Sequence, residues 1–289
     1  MTATAPSASG AGDPIFEVEH VTLRFGGVTS LADVSLHQER GEILSVIGPN
    51  GAGKTSLFNC LTGVYVPQEG SIRFHRGDGR TVSIVGKKPH AVNRAGVART
   101  FQTTLLFNAL STIENVKIGV EAGSTTGPIG AMLHLPKVGR QDRETDREAG
   151  RLLEFVGLTS HADDLASSLS YGDRRRLEIA RALGTKPEVL LLDEPAAGTN
   201  PTEKIELSNL IREVNSAFKV SVLLIEHDMR LVMSIAQRIY VLNFGRLIAE
   251  GTPAQIQQDP AVLEAYLGTS EHTEAAATTD TAAGDEAVE

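Results

Sequence analysis

An α/β domain built on a mostly parallel sheet is the fold class this sequence predicts, and three observations lead there. Short apolar runs recur, each bounded by turn or charged residues: EILSVI at 42–47, VLLL at 189–192 and VSVLLI at 220–225. Runs of this kind read as buried strands. Stretches with helical character lie between them, the alternation from which parallel sheets are made. Lastly, the first run passes through a glycine-rich turn into a helix, Thr55–Leu61, which closes near Gly63.

Taken in order, 15–23 and 32–38 alternate as strands do, and 42–47 is the first buried strand. The middle differs. From about Ala98 to Ala182 no convincing strand is visible, and a helical insertion is expected there. One of its helices is Asp142–Val156, with charged residues early and an apolar face at Leu152, Leu153 and Val156. A loose segment rich in Gly, Ser and Thr, 119–139, interrupts the insertion. A further helix is expected from Arg174 to Leu183, followed by the strands at 189–192 and 220–225.

Composition narrows the function. The 289 residues are 41% hydrophobic and 22% charged, as in an ordinary globular protein with a real core. Only 4% are aromatic and none is Trp, which disfavours an aromatic-rich carbohydrate or nucleic-acid surface. No apolar run reaches the roughly 18–20 residues needed to span a bilayer. The N-terminal MTATAPSASGAGDP has neither the basic nor the apolar region of a secretory signal, so a cytoplasmic location is expected. Cys60 is the only cysteine; it excludes an internal disulfide and reads as core packing.

The ends stand apart from the body. Residues 1–14 and 269–289 are poor in apolar side chains and are expected to be disordered tails around a domain at 15–268. The net charge of −9 sits mainly in them: six carboxylates lie in 271–289, and Asp13 adds one more. The body that remains carries 27 basic and 29 acidic residues, a balance that argues against nucleic acid as the main partner.

Two patterns carry chemistry. Gly48, Pro49, Asn50, Gly51, Ala52, Gly53, Lys54 and Thr55 fit G-x-x-x-x-G-K-[ST]. Small residues let the backbone wrap a phosphate so that several N–H groups converge on it, and the following helix start adds a positive dipole. Lys54 would reach the β- and γ-phosphates and the Thr55 hydroxyl would ligate Mg²⁺. A chance glycine-rich turn would share the string. It would not need an apolar strand before it and a helix after it, and both are present.

The second pattern is the strand 189–192 running into Asp193 and Glu194. Such a strand delivers its acids to the carboxyl edge of the sheet, where open α/β folds bind ligands. There Asp193 would hold Mg²⁺ and Glu194 would polarise an attacking water as general base. Alone, two acids could merely mark a strand running out into solvent. The cradle about 140 residues earlier favours the functional reading.

Further strings keep the same order: RFGG at 24–27, RTFQ at 99–102, LSYGDRRRLEIARAL at 169–183, LLIEHDM at 223–229 and EGTPAQI at 250–256. With IGPNGAGKTSLFNCLTG at 47–63 and LLLDEPAAGTNP at 190–201, the set resembles the ATP-binding subunits of ABC transporters. The resemblance runs from Ile15 to Gly268 and is strongest to the branched-chain amino-acid uptake type. It implies a P-loop NTPase core with an N-terminal antiparallel β-subdomain and an inserted α-helical subdomain at about 98–182. It also implies ATP hydrolysis, with ATP and Mg²⁺ held by the cradle through Ser56.

The resemblance also implies roles residue by residue. Phe25 would stack on adenine, Gln102 would touch Mg²⁺ and the attacking water, and His227 would contact the γ-phosphate as a switch. Ser170 and the Gly172 backbone would meet the γ-phosphate of a nucleotide bound to a second ATP-binding subunit, identical or not. Two membrane-spanning permease subunits and, indirectly, an external solute-binding protein complete the assembly, which puts the chain at the cytoplasmic face of the plasma membrane. Arg174, Arg175 and Arg176 read as a solvated first turn, or as contacts to ribose or the partner subunit, rather than as a nucleic-acid patch.

Four residues depart from the general family pattern. Tyr171 replaces a Gly, as is usual in the branched-chain group, while Asp173 replaces Gln, Thr199 an apolar residue and Asn200 Asp. These bear on the strength of subunit coupling. A urea, amide or other polar-solute importer is the near alternative, since such a subunit never touches the solute. From another class, a soluble ABC ATPase acting on DNA or ribosomes would be expected to show two cassettes or a long coiled coil, and neither is present.

Overall fold

The computed structural model describes residues 14–100, 105–123 and 138–266. Residues 1–13, the 101–104 segment with Gln102, most of the Gly/Ser/Thr-rich stretch and the acidic tail lie outside the described residues.

Two sheets share one core. The first is antiparallel, in the order β2-β1-β4-β5, built from β1 (Pro14–Phe25), β2 (Val28–Glu39), β4 (Glu69–His75) and β5 (Thr81–Ser83). The second runs β10-β9-β3-β8-β7-β6, from β3 (Ile43–Ile47), β6 (Val97–Arg99), β7 (Val189–Asp193), β8 (Ser221–Ile225), β9 (Arg238–Asn243) and β10 (Arg246–Gly251). All its pairings are parallel except the β9–β10 hairpin. Every residue of β3, β7 and β8 is buried, which is why these strands read as unbroken apolar runs rather than as alternations.

The layers are held by apolar contact. Helix α1 (Lys54–Leu61) fills the space between the two sheets, where Leu57, Phe58 and Leu61 join Phe16, Phe74, Leu44 and Val46 in one cluster. Cys60 lies in the same cluster, and burial pushes its thiol up to about 12. On the other side of the parallel sheet, α3 (Thr112–Gly123), α4 (Val138–Phe155) and α5 (Tyr171–Gly184) follow one another between β6 and β7. The short helix α2 (Pro89–Ala95) precedes β6, while α6 (Pro201–Phe218), α7 (Met229–Ile235) and α8 (Pro253–Ile256) punctuate the C-terminal half.

Three local differences from the sequence reading have physical causes. Ala98 and Arg99 belong to a strand, β6, whose three residues are too few to show a pattern. Helix α3 continues through Gly119 to Gly123, where a loose segment was expected. Gly119 is a packing position: a Cβ there would sit 2.1 Å from the Arg181 carbonyl oxygen of α5, so only glycine lets the two helices approach. Helix α5 begins at Tyr171, not Arg174, because Ser170 serves as its N-cap and accepts from the Asp173 N–H.

Candidate nucleotide site

The cradle leaves the carboxyl end of β3, the strand between β8 and β9. Its backbone is tightly seated. A Cβ on Gly48, whose φ is 150°, would lie 2.0 Å from the Leu242 carbonyl oxygen, and one on Gly53 (φ 102°) would lie 2.6 Å from that of Ser30. Side chains are thereby excluded at both ends of the loop. Ala52 is buried, while Asn50 and Gly51 face solvent.

Lys54, only 7% exposed, donates from Nζ to the carbonyls of Gly48 (2.7 Å) and Pro49 (2.8 Å). Burial pushes its ammonium below the ordinary lysine value, against the opposing pull of Glu194 and Asp193. Thr55 opens to solvent in the first turn of α1, and Ser56 accepts a hydrogen bond from the Ser30 hydroxyl at 2.7 Å. A few residues away Phe25, 46% exposed, meets the Tyr65 ring edge to face at 5.1 Å. An aromatic face is therefore held open at the end of β1.

The acids arrive from the neighbouring strands. Asp193 ends β7 and pairs in register with Ile225 of β8, so the residues after both strands emerge at the same sheet edge as the cradle. Glu194 adopts a left-handed φ of 46°, a strained backbone that its tethers retain, among them a 2.9 Å hydrogen bond from its N–H to the Ile225 carbonyl. Nδ1 of His227 lies 3.8 Å from the Glu194 carboxylate, and the imidazole is 60% exposed. Cradle, paired acids and histidine thus converge from three adjacent strands.

Two residues in this neighbourhood carry contacts that composition and spacing did not single out. Arg99, at the end of β6, donates to Asp193 Oδ2 at 2.7 Å and to Asn59 Oδ1 at 2.7 Å, and both ionic side chains are almost wholly buried. Glu226, fully buried, accepts hydrogen bonds from the N–H groups of His227 and Asp228 just after it and of Ala196 on the neighbouring loop. Both were visible as letters inside motif strings, yet their partners lie 94 and 30 residues distant for the key bonds.

Away from the cradle, Ser170 and Tyr171 are exposed at the start of α5. The Ser170 hydroxyl donates to Asp173 Oδ2 at 2.7 Å, so Asp173 engages its own chain's cap. The arginine triplet is not a solvated turn. Arg175 is buried and pairs with Glu178 at 2.9 Å, Arg176 pairs with Glu206, and Arg174 donates to the carbonyls of Ser167 and Leu169. Asn200 caps α6 in a reciprocal box with Glu203, and Thr199 donates to the Ala196 carbonyl at 2.7 Å.

A family model for the ABC transporter matches residues 31–197. This chain belongs to that family. A second model, for the branched-chain amino acid ATP-binding cassette transporter, matches residues 246–272. Among curated relatives, the high-affinity branched-chain amino acid transport ATP-binding protein BraF of Pseudomonas aeruginosa is 46% identical over 255 residues, spanning 88% of this chain and 98% of that one. LivG of Escherichia coli matches at the same identity and coverage, and a probable LivG of Archaeoglobus fulgidus is 34% identical over 88% of this chain and 95% of its own. The solved ADP form of MJ1267, an ATP-binding cassette of an ABC transporter, superposes with a TM-score of 0.75 at 30% identity, covering 88% of this chain and 99% of that one. The chain is therefore an ABC ATPase cassette, with the nucleotide binding that this family implies. Among the described residues no helix is long and apolar enough to cross a membrane.

Proposed function

We propose that this cassette powers uptake of branched-chain or related amino acids, as one of two ATP-binding subunits working on membrane-spanning permeases. The observation that carries the reading is the convergence of Lys54, Asp193, Glu194 and His227 from adjacent strand ends in a chain 46% identical to branched-chain transport relatives.

The residues divide the work. Backbone N–H groups from Gly48 to Thr55, with Lys54, bind and neutralise the phosphates, and Phe25 stacks on the base. Thr55 and Asp193 suit Mg²⁺, since a hydroxyl and a carboxylate are hard oxygen donors; Gln102 would join them. When bound, the ion neutralises charge on the phosphates. Glu194 takes a proton from the attacking water and His227 holds the terminal phosphate. Ser170 and the Gly172 N–H, at the start of α5, receive the phosphate held by the second cassette, so ATP joins the pair and hydrolysis releases it.

The helical region α3–α5 would dock the permease on the cytoplasmic face of the plasma membrane, and an external binding protein would deliver the solute. Uptake of labelled leucine, isoleucine, valine and urea by cells carrying the wild-type chain or Glu194→Gln tests this. Loss of branched-chain uptake with urea uptake intact is expected. Unchanged amino-acid uptake, or loss of urea uptake alone, contradicts it.

A further inference from the structure

Glu226 is a carboxylate that the core encloses completely, at 0% exposure, without a Lys or Arg beside it among the described ion pairs. Burying a charge without a cation is costly unless hydrogen bonds compensate. Here they come from backbone. Oε1 accepts from the Ala196 N–H at 2.7 Å, and Oε2 accepts from the N–H groups of His227 (2.9 Å) and Asp228 (3.1 Å). Among the described ion pairs its one partner is the His227 imidazole, with Nδ1 at 3.8 Å.

The partners belong to two different loops. Ala196 lies two residues beyond Glu194, on the chain leaving β7, whereas His227 and Asp228 lead from β8 into α7. Glu226 therefore spans both loops by accepting from N–H groups of each. An apolar side chain of equal size would leave the buried Ala196 N–H and the part-buried N–H groups of His227 and Asp228 without this partner, and those groups lie beside the proposed base and switch histidine. The strained φ of Glu194 persists only if its surroundings hold it, and the Ala196 tether is one of the contacts that do.

We propose that Glu226 is a positioning residue for hydrolysis: it clamps the Glu194 loop to the His227 loop so that the two groups keep one relative geometry. The inference rests on the reading of Glu194 and His227 given above. Glutamine is the informative replacement, because its amide nitrogen can only donate and must face N–H groups at one end of the span. Aspartate keeps the charge but is one methylene too short to reach both loops.

ATP turnover and affinity for a fluorescent ATP analogue should be measured on the full chain for Glu226→Gln, Glu226→Asp, His227→Ala and the double variant Glu226→Gln/His227→Ala. We expect Glu226→Gln and Glu226→Asp each to lower kcat about tenfold or more. Nucleotide affinity should stay within about twofold, and the double variant should be no slower than His227→Ala alone, as for residues acting through one another. A merely structural role would lower thermal stability with kcat retained in the folded fraction, or would give additive losses in the double variant, and either result overturns the proposal. If His227→Ala and Glu194→Gln themselves keep full turnover, the underlying site reading fails instead.

Discussion

The cradle after β3 encloses Lys54 to 7% exposure and turns its own carbonyls onto that ammonium, whereas the start of α5 leaves Ser170 and Tyr171 in solvent with Asp173 answering the cap. Both are helix starts, yet the first follows a strand walled by its neighbours and carries a buried lysine turned onto its own loop, whereas the buried cation of the second, Arg175, is already paired with Glu178. The first can bind a nucleotide within one chain. The second offers a few N–H groups and a hydroxyl, which suits the proposed role of meeting a phosphate held by a second cassette. On the proposed reading this contrast would separate binding from hydrolysis: the isolated chain should hold ATP well and cleave it slowly until a second cassette presents its own α5.

The sharpest way to break that division is at Glu194. Glu194→Gln should cut turnover by roughly 10²–10⁴-fold, the range for losing a general base, while ATP affinity is kept. Single-turnover hydrolysis beside equilibrium binding measures both, and normal turnover would remove Glu194 from its role.

A second test loosens the cradle side. Arg99→Met leaves Asp193 buried without its ion-pair partner and should cost about 3–5 kcal/mol of stability, read from urea unfolding. Arg99→Lys should recover part of this. A loss below about 1 kcal/mol would mean that water reaches the pair and relieves it.

Smaller changes probe the α5 side. Asn200→Ala removes the cap of α6 and should destabilise by about 1 kcal/mol. That is a fall of about 2–4 °C in Tm for a chain of this size. Asp173→Asn keeps an acceptor for the Ser170 hydroxyl but removes a negative charge where, on the proposed reading, a phosphate arrives. ATP-driven association should tighten by about 0.3–1 kcal/mol, the scale of one charge at a helix terminus. Weaker association would show that Asp173 helps to hold the partner.

Much of this contrast was legible in the sequence because both regions are local. β3, β7 and β8 are buried on both faces, so their residues spell continuous apolar runs, and the loops that follow hold Lys54, the acid pair and His227 within a few letters. Legibility failed where distant chain decides the environment. Gly119 reads as loop until α5 is seen packed against it, and Arg175 reads as solvated until Glu178 and the Leu105 N–H are seen to share its pocket. Arg99 and Glu226 are equally ordinary letters. Their meaning lies in a carboxylate at the end of β7 and a backbone N–H three residues further on.

The central claim is that α5 completes its site on a second cassette in a membrane complex. Tagged Glu194→Gln, purified from native membranes with and without ATP and Mg²⁺ and followed by identification of what copurifies, tests it most directly. The account predicts two multi-span permeases together with a second cassette held more firmly when ATP is present, and loss of that ATP dependence when Ser170→Arg is added. A chain that returns alone with or without ATP, or that brings ribosomes or DNA-repair proteins instead, would contradict it.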